Sequence, residues 1–319
     1  MSCVSQPLIR TDVRAFLDAL ESQPRPVFTD ELMATIRQMS PEMMASSDLP
    51  VGELGQIRDV VMPGPAGDIA LRLFDPRKER GPGPVVVFYH GGGFVVGNID
   101  THAGLAAAIA RGLDLPVISV EYRLAPEHKW PAAPDDAEAA ARWIAENGAA
   151  FGREFTHLIP CGDSAGGNLA LVATLALRDR PTALPVPFQF IIYPKADSTC
   201  VRASARAFAD GYGMESVNLG YYDQAYAPDP ANWRHSPILA DLAGLPPMLL
   251  VTASLDPLRD EGRAFAAKAI EAGVQVAYRE VEGTIHGFMT YRKAIPSAAA
   301  NTEALLVLAK AMIAEALGA

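Results

Sequence analysis

A chain of 319 residues, half of them hydrophobic and a fifth charged, carries enough apolar side chains for a large packed core and does not belong to the disordered class. Its 37 acidic residues outnumber 27 basic ones, and the formal charge of −10 repels a phosphate backbone, which argues against nucleic acid as a partner. Cys3, Cys161 and Cys200 cannot all pair and match neither a CxxC redox pair nor a zinc site, so a reducing, cytoplasmic setting is expected.

Met1 to Arg10 lacks the basic and then apolar run of a signal peptide, and no later stretch has the uncharged apolar length of a membrane span, so no membrane insertion is expected. From Thr11 to about Ser46, Val13, Phe16, Leu17 and Leu20, then Leu32, Ile36 and Met39, predict two short helices separated by Pro24 and Pro26. Residues 57–61 and 69–74 read as antiparallel strands joined by the turn-rich Pro63-Gly64-Pro65-Ala66-Gly67. An alternation follows: strand 85–89, helix 103–113, strand 117–120, helix 134–146, strand 158–160, helix 168–178 and strand 188–193. Strand 248–252, helix 261–272 and strand 275–281 complete it. Continuous apolar strands of this kind belong in a mostly parallel sheet covered on both faces, an α/β fold. Residues 200–227, rich in aromatics such as Tyr221, Tyr222 and Tyr226, interrupt the rhythm and are expected above the sheet. The expected division is therefore an N-terminal helical part of a cap at 1–50, a cap insertion at 200–227, and a catalytic domain at 51–199 and 228–319.

Gly162-Asp163-Ser164-Ala165-Gly166 fits G-x-S-x-G between a strand and an apolar helix, the setting in which a sharp turn lifts a serine nucleophile clear of the sheet. Glycines flank such a turn because strand, helix and neighbouring chain approach closely there. The pentapeptide gains force from a second motif: His90-Gly91-Gly92-Gly93 follows the strand at 85–89, where a loop without side chains can aim N–H groups at a developing oxyanion. Phosphate binding by that loop is disfavoured, since no G-x-G-x-x-G opens a helix there and no Lys-Ser or Lys-Thr follows.

Chain order selects the partners, because in this kind of site the acid and then the histidine follow the serine. Only His235 and His286 lie beyond Ser164, and His286 sits just past the strand at 275–281. Asp256 stands immediately beyond the strand at 248–252; Asp260, four residues on, suits a helix N-terminus instead. His90 is expected to orient the glycine loop, whereas His102, His128, His157 and His235 read as structural or solvated. Cys161 reads as a small buried residue facing away from the serine, and no histidine shows a metal-ligand pattern.

With these residues in place the chain resembles the hormone-sensitive-lipase group of α/β hydrolases, the bacterial family IV esterases. The likeness is carried by His90 to Gly93, Tyr122-Arg123-Leu124-Ala125-Pro126-Glu127-His128 running into Trp130-Pro131-Ala132-Ala133, the Gly162 to Gly166 elbow of GDSAG type, Asp256-Pro257-Leu258-Arg259-Asp260 and His286-Gly287-Phe288. It implies an α/β-hydrolase fold and a cofactor-free carboxylesterase acting on small-molecule esters with short acyl chains. It also implies oxyanion donors at Gly92, Gly93 and Ala165, cap helices that shape the acyl and alcohol pockets, and a homodimer built on the last sheet edge.

One departure stands out. After Tyr193-Pro194, Lys195 occupies a place where relatives carry a small or apolar residue, so it is either a solvated lysine or a pocket charge favouring polar or acidic esters. Two other functions fit the same motifs: an amidase with the same triad, and a non-catalytic small-molecule receptor, against which the retained His286 speaks.

Overall fold

The computed structural model describes residues 7–23, 27–39, 43 and 45–318. Cys3, Pro24 and Pro26 lie outside them. Two helices, α1 (Thr11–Glu21) and α2 (Asp30–Gln38), precede a hairpin of β1 (Gln56–Gly64) and β2 (Gly67–Asp75). Strands and helices then alternate: β3 (Gly83–Tyr89), α3 (Ala103–Leu113), β4 (Val117–Val120), α4 (Ala132–Glu146), β5 (Phe155–Asp163), α5 (Ala165–Asp179) and β6 (Gln189–Ile192). The insertion supplies α6 (Ala203–Ala207) and α7 (Ser216–Tyr226), and β7 (Met248–Leu255), α8 (Arg259–Glu271), β8 (Val276–Ile285) and α9 (Pro296–Leu317) close the chain.

The eight strands form one sheet in the order β1-β2-β4-β3-β5-β6-β7-β8. β2 pairs antiparallel with both β1 and β4, and every other pairing is parallel. The central strands are apolar on both faces because each face is covered. Val85, Val87 and Tyr89 of β3, with Leu250 of β7, enter a core shared with Ala137 of α4, Leu169 of α5 and Phe265 of α8. Val86, Phe88, Ile159, Phe190 and Val251 enter the opposite core with Ile109 of α3, Ile313 of α9 and Val13 and Leu17 of α1. Alternation within each strand thus feeds two cores rather than one core and solvent.

Several predicted strand ends fall short of the observed ones, and for β7 and β8 the difference matters for the site. β7 and β8 stay paired past a register shift between Ala253 and Leu255, which sets Leu255 opposite Ile285. Asp256 and His286 therefore each stand one residue beyond the end of a paired strand, side by side.

Helix α9 was absent from the expected elements. Its apolar residues are not confined to one stripe: Leu305, Leu306, Ala309 and Ile313 are buried while Val307 is 70% exposed. Among the described residues it is the one helix long and apolar enough to cross a membrane, yet it lies along α3 as part of the outer layer.

Candidate active site

The turn from β5 into α5 holds Ser164 at φ 55° and ψ −115°, a region that side-chain-bearing residues rarely enter. Space for this turn comes from its glycines. A Cβ on Gly166 would sit 1.9 Å from the Tyr89 carbonyl oxygen, and one on Gly162 would sit 2.2 Å from the Gly166 oxygen. Ser164 is consequently raised at the carboxyl edge of the sheet, where its amide donates to the Ile192 carbonyl of β6.

His286 Nε2 lies 2.8 Å from Ser164 Oγ, and its Nδ1 lies 2.7 Å from Asp256 Oδ2. Asp256 is fully buried, and its other oxygen accepts from the Leu258 amide at 2.7 Å, so the carboxylate is fixed at both ends. Asp260 is engaged elsewhere: it accepts from the Ser204 amide and from Arg259 and Arg263 at the start of α8. The structure thus brings together Ser164, His286 and Asp256, and leaves Asp260 apart.

The glycine loop meets this row from the β3 side. Gly92 and Gly93 have φ of +122° and +60°, and a Cβ on Gly92 would collide with the Val96 carbonyl at 2.0 Å. His90 sits at the root of the loop: it is wholly buried, its Nδ1 lies 2.7 Å from the Gly91 carbonyl, and its ring stacks on Tyr122 at 4.3 Å. Tyr122 in turn donates to the His90 carbonyl at 2.7 Å. Asp163 joins loop and elbow, accepting from the Gly91 amide at 2.9 Å. Ala165 begins α5 directly after Ser164, on the wall of the same cavity as Gly93.

Cys161 is buried under the sheet among Phe88 and Ile159, and burial pushes its thiol well above the usual range, so it is an inert filler. Two of the histidines read as structural or solvated line the site. His102, at the N-cap of α3, is neither solvated nor remote: its Nε2 lies 3.7 Å from Asp163 Oδ1 and it walls the site beside Ser164. His235 is buried, bonds to Ser198 Oγ at 2.9 Å through Nε2, and lines the cavity on the other side of Ser164. Asn168 of α5 holds this region together by donating to the carbonyls of both Lys195 and His235. No motif pointed to Ser198, Asn168 or Glu261, whose roles arise from contacts across long stretches of chain.

Burial lowers the His90 pKa from 6.5 to about 3 and, with help from the Lys195 charge, that of His235 to about 4. Both depressions mean that the unfolded chain binds more protons below pH 6.5 than the folded one, so stability present above that pH is lost on acidification. Each histidine should remove about 2 kcal/mol by about pH 5. Urea unfolding at about pH 7.5 and about pH 5 checks this expectation, which equal unfolding free energies at the two values would contradict.

Two cavities open from Ser164. One, of about 250 Å³, passes His286, Gly287, Tyr291, Phe16 and Phe28. The other, of about 460 Å³, passes Ala165, Lys195, Ser198, His235 and Leu258. Tyr222 and Met214 of the insertion stand between them and line both. The N-terminal region meets the insertion above the serine: the Phe28 amide donates to Asn218 Oδ1 at 3.0 Å, and Tyr221 Oη donates to Asp30 Oδ1 at 2.9 Å.

Residues 86–290 match the model of a family described by the alpha/beta hydrolase fold. The chain belongs to the α/β-hydrolase family. Within it, the chain falls in the hormone-sensitive-lipase-like group of carboxylic ester hydrolases. It is 39% identical over 259 residues to carboxylic ester hydrolase LipN of Mycobacterium tuberculosis, covering 78% of this chain and 69% of LipN. It is 34% identical to esterase LipI of the same organism, over 93% of this chain and 94% of LipI. Among solved structures, an α/β-hydrolase enzyme from the metagenome of Lake Arreo, Spain, superposes with a TM-score of 0.89 at 37% identity, covering 97% of this chain and 99% of that one.

Proposed function

We propose that this hydrolase cleaves esters with short acyl chains through a Ser164–His286–Asp256 triad and a covalent acyl-enzyme. A single observation carries the assignment: the unbroken row from Ser164 Oγ through the His286 ring to the buried Asp256, with contacts of 2.8 and 2.7 Å. Ser164 Oγ attacks the ester carbonyl carbon while His286 Nε2 takes its proton. Asp256 accepts from Nδ1–H, holds the tautomer that leaves Nε2 free, and stabilises the imidazolium. The amides of Gly92, Gly93 and Ala165 receive the oxyanion. Collapse of the tetrahedral adduct breaks the C–O bond to the alcohol, which leaves with the proton held by His286. A water then gives its proton to His286 and its oxygen to the acyl carbon, and Ser164 is released with that proton.

The same proposal assigns residues 1–50 and 200–227 to a cap, on the strength of their contacts over Ser164. It also assigns a small-molecule ester as substrate and a cytoplasmic setting consistent with free thiols at Cys161 and Cys200. The preference for short acyl chains rests on the likeness to this esterase group, and the 460 Å³ cavity beside Ser164, lined by Tyr222, Met214 and Leu219, is the space an acyl chain would enter.

A diethyl p-nitrophenyl phosphate reaction tests the nucleophile. Ser164 Oγ forms the bond to phosphorus, p-nitrophenolate leaves, and the expected product is a single diethylphosphoryl adduct on the Ser164 peptide, gained in step with loss of esterase activity. Phosphorylation elsewhere, or full inhibition with Ser164 unmodified, would overturn the assignment. A p-nitrophenyl ester series whose kcat/KM peaks at long chains would overturn the preference for short acyl groups.

A further inference from the structure

The two cavities are chemically unlike, and the proposed triad gives each a role. His286 must hand its proton to the departing alkoxide, so the alcohol leaves along the side that His286 itself walls, past Phe16, Phe28 and Tyr291. The acyl chain then extends into the other cavity, which holds Lys195, Ser198 and His235 among its lining.

Lys195 lies against the nucleophile, since its amide donates to the Ser164 carbonyl at 3.2 Å. Its ammonium donates to Glu261 Oε1 at 2.8 Å and to the Asp197 carbonyl at 3.3 Å. Glu261 is itself locked in place, its second oxygen accepting from the Ala196 and Asp197 amides at 3.0 Å. An ammonium has three donors, and the third has no acceptor among the described residues, on a side chain that lines the cavity. Beside it, His235 Nδ1 is buried without a partner, and Ser198 Oγ contacts His235 Nε2.

Charge decides what this free donor takes. Glu261 neutralises Lys195, and Asp223, whose carboxyl burial pushes above its usual range, lies on the same wall and offers no positive charge. The cavity therefore has no net positive charge with which to draw in a carboxylate, and the expectation of acidic esters does not fit it. A neutral oxygen does: it accepts a charge-assisted hydrogen bond without bringing a charge that must be desolvated.

We propose that Lys195 is a specificity-determining residue, selecting esters whose acyl chain carries a neutral oxygen acceptor, a ketone or hydroxyl, within a few carbons of the ester carbonyl. The inference rests on the triad reading, because that reading decides which cavity takes the acyl group.

The test compares kcat/KM for ethyl 4-oxopentanoate, ethyl pentanoate and monoethyl succinate by pH-stat titration. The wild-type protein should favour the oxo ester over ethyl pentanoate by about tenfold or more, as expected for one hydrogen bond from a charged donor. Lys195→Met, made alone and together with Glu261→Gln so that no carboxylate is left buried and unpaired, should bring the ratio near unity. Stoichiometric phosphorylation of Ser164 certifies that each variant is folded. A wild-type ratio at or below one, a preference for monoethyl succinate, or a ratio untouched by Lys195→Met overturns the inference. The wild-type ratio stands whether or not the variants fold. Brisk hydrolysis of ethyl pentanoate without selectivity sinks the specificity alone, whereas hydrolysis that survives Ser164→Ala sinks the triad beneath it.

Discussion

Ser164→Ala should lower kcat for a short p-nitrophenyl ester by about a millionfold, with little change in KM. The size follows from what is lost: alanine removes both the atom that forms the acyl bond and the proton that His286 accepts, so the covalent route is closed rather than slowed. Residual hydrolysis would come from water held by the oxyanion donors. Structure should be retained, because the positive φ of Ser164 is imposed by the packing of Gly162 and Gly166 against the Gly166 and Tyr89 carbonyls and not by the hydroxyl. Stopped-flow and long-incubation assays together cover the range, and a loss of less than about a hundredfold would mean that another residue attacks the ester.

Asp256→Asn should cost about ten-thousandfold in kcat while leaving the fold intact. The isosteric amide can keep one contact, accepting from the Leu258 amide at the distance now 2.7 Å. Its NH₂ group would then face His286 Nδ1, which must become the acceptor. The ring proton moves to Nε2, and Nε2 can no longer take the proton of Ser164. The neighbouring Asp260→Asn serves as the comparison. Asp260 holds Ser204, Arg259 and Arg263 at the base of the insertion, so its loss should register in thermal stability more than in kcat. Reversal of the two results would transfer the acid's role to Asp260.

Much of this arrangement was legible because it depends on local order along the chain. The strand before Gly162 and the apolar helix after it define an elbow whatever the rest of the protein does. The order of serine, acid and histidine left few candidates for Asp256 and His286. Strand ends were less legible. β7 and β8 continue past their apolar runs because each pairs with the other across a register shift, and pairing is a property of two segments that neither one displays. The same holds for His102 and His235, whose surroundings come from Asp163 and Ser198, many residues away. Lys195 shows the limit most clearly: its departure from the usual residue was visible, but the Glu261 that cancels its charge lies 66 positions further on, on helix α8. Helix α9 escaped for a different reason, since apolar residues spread around its surface hide the face that packs on α3.

The hydrogen bond from the Gly91 amide to Asp163 changes how the elbow should be understood. The residue before the serine is nominally free to vary, yet here it is a strut between the ends of two adjacent strands, and a Cβ on Gly91 would meet its carboxylate at 2.5 Å. The serine and the glycine loop of the proposed mechanism are thereby tied to each other as well as to the strands that carry them. Displacement of either strand end would therefore carry both along, and this one carboxylate bridge adds to the backbone pairing of β3 and β5 in setting the tolerance that matters to the proposed chemistry.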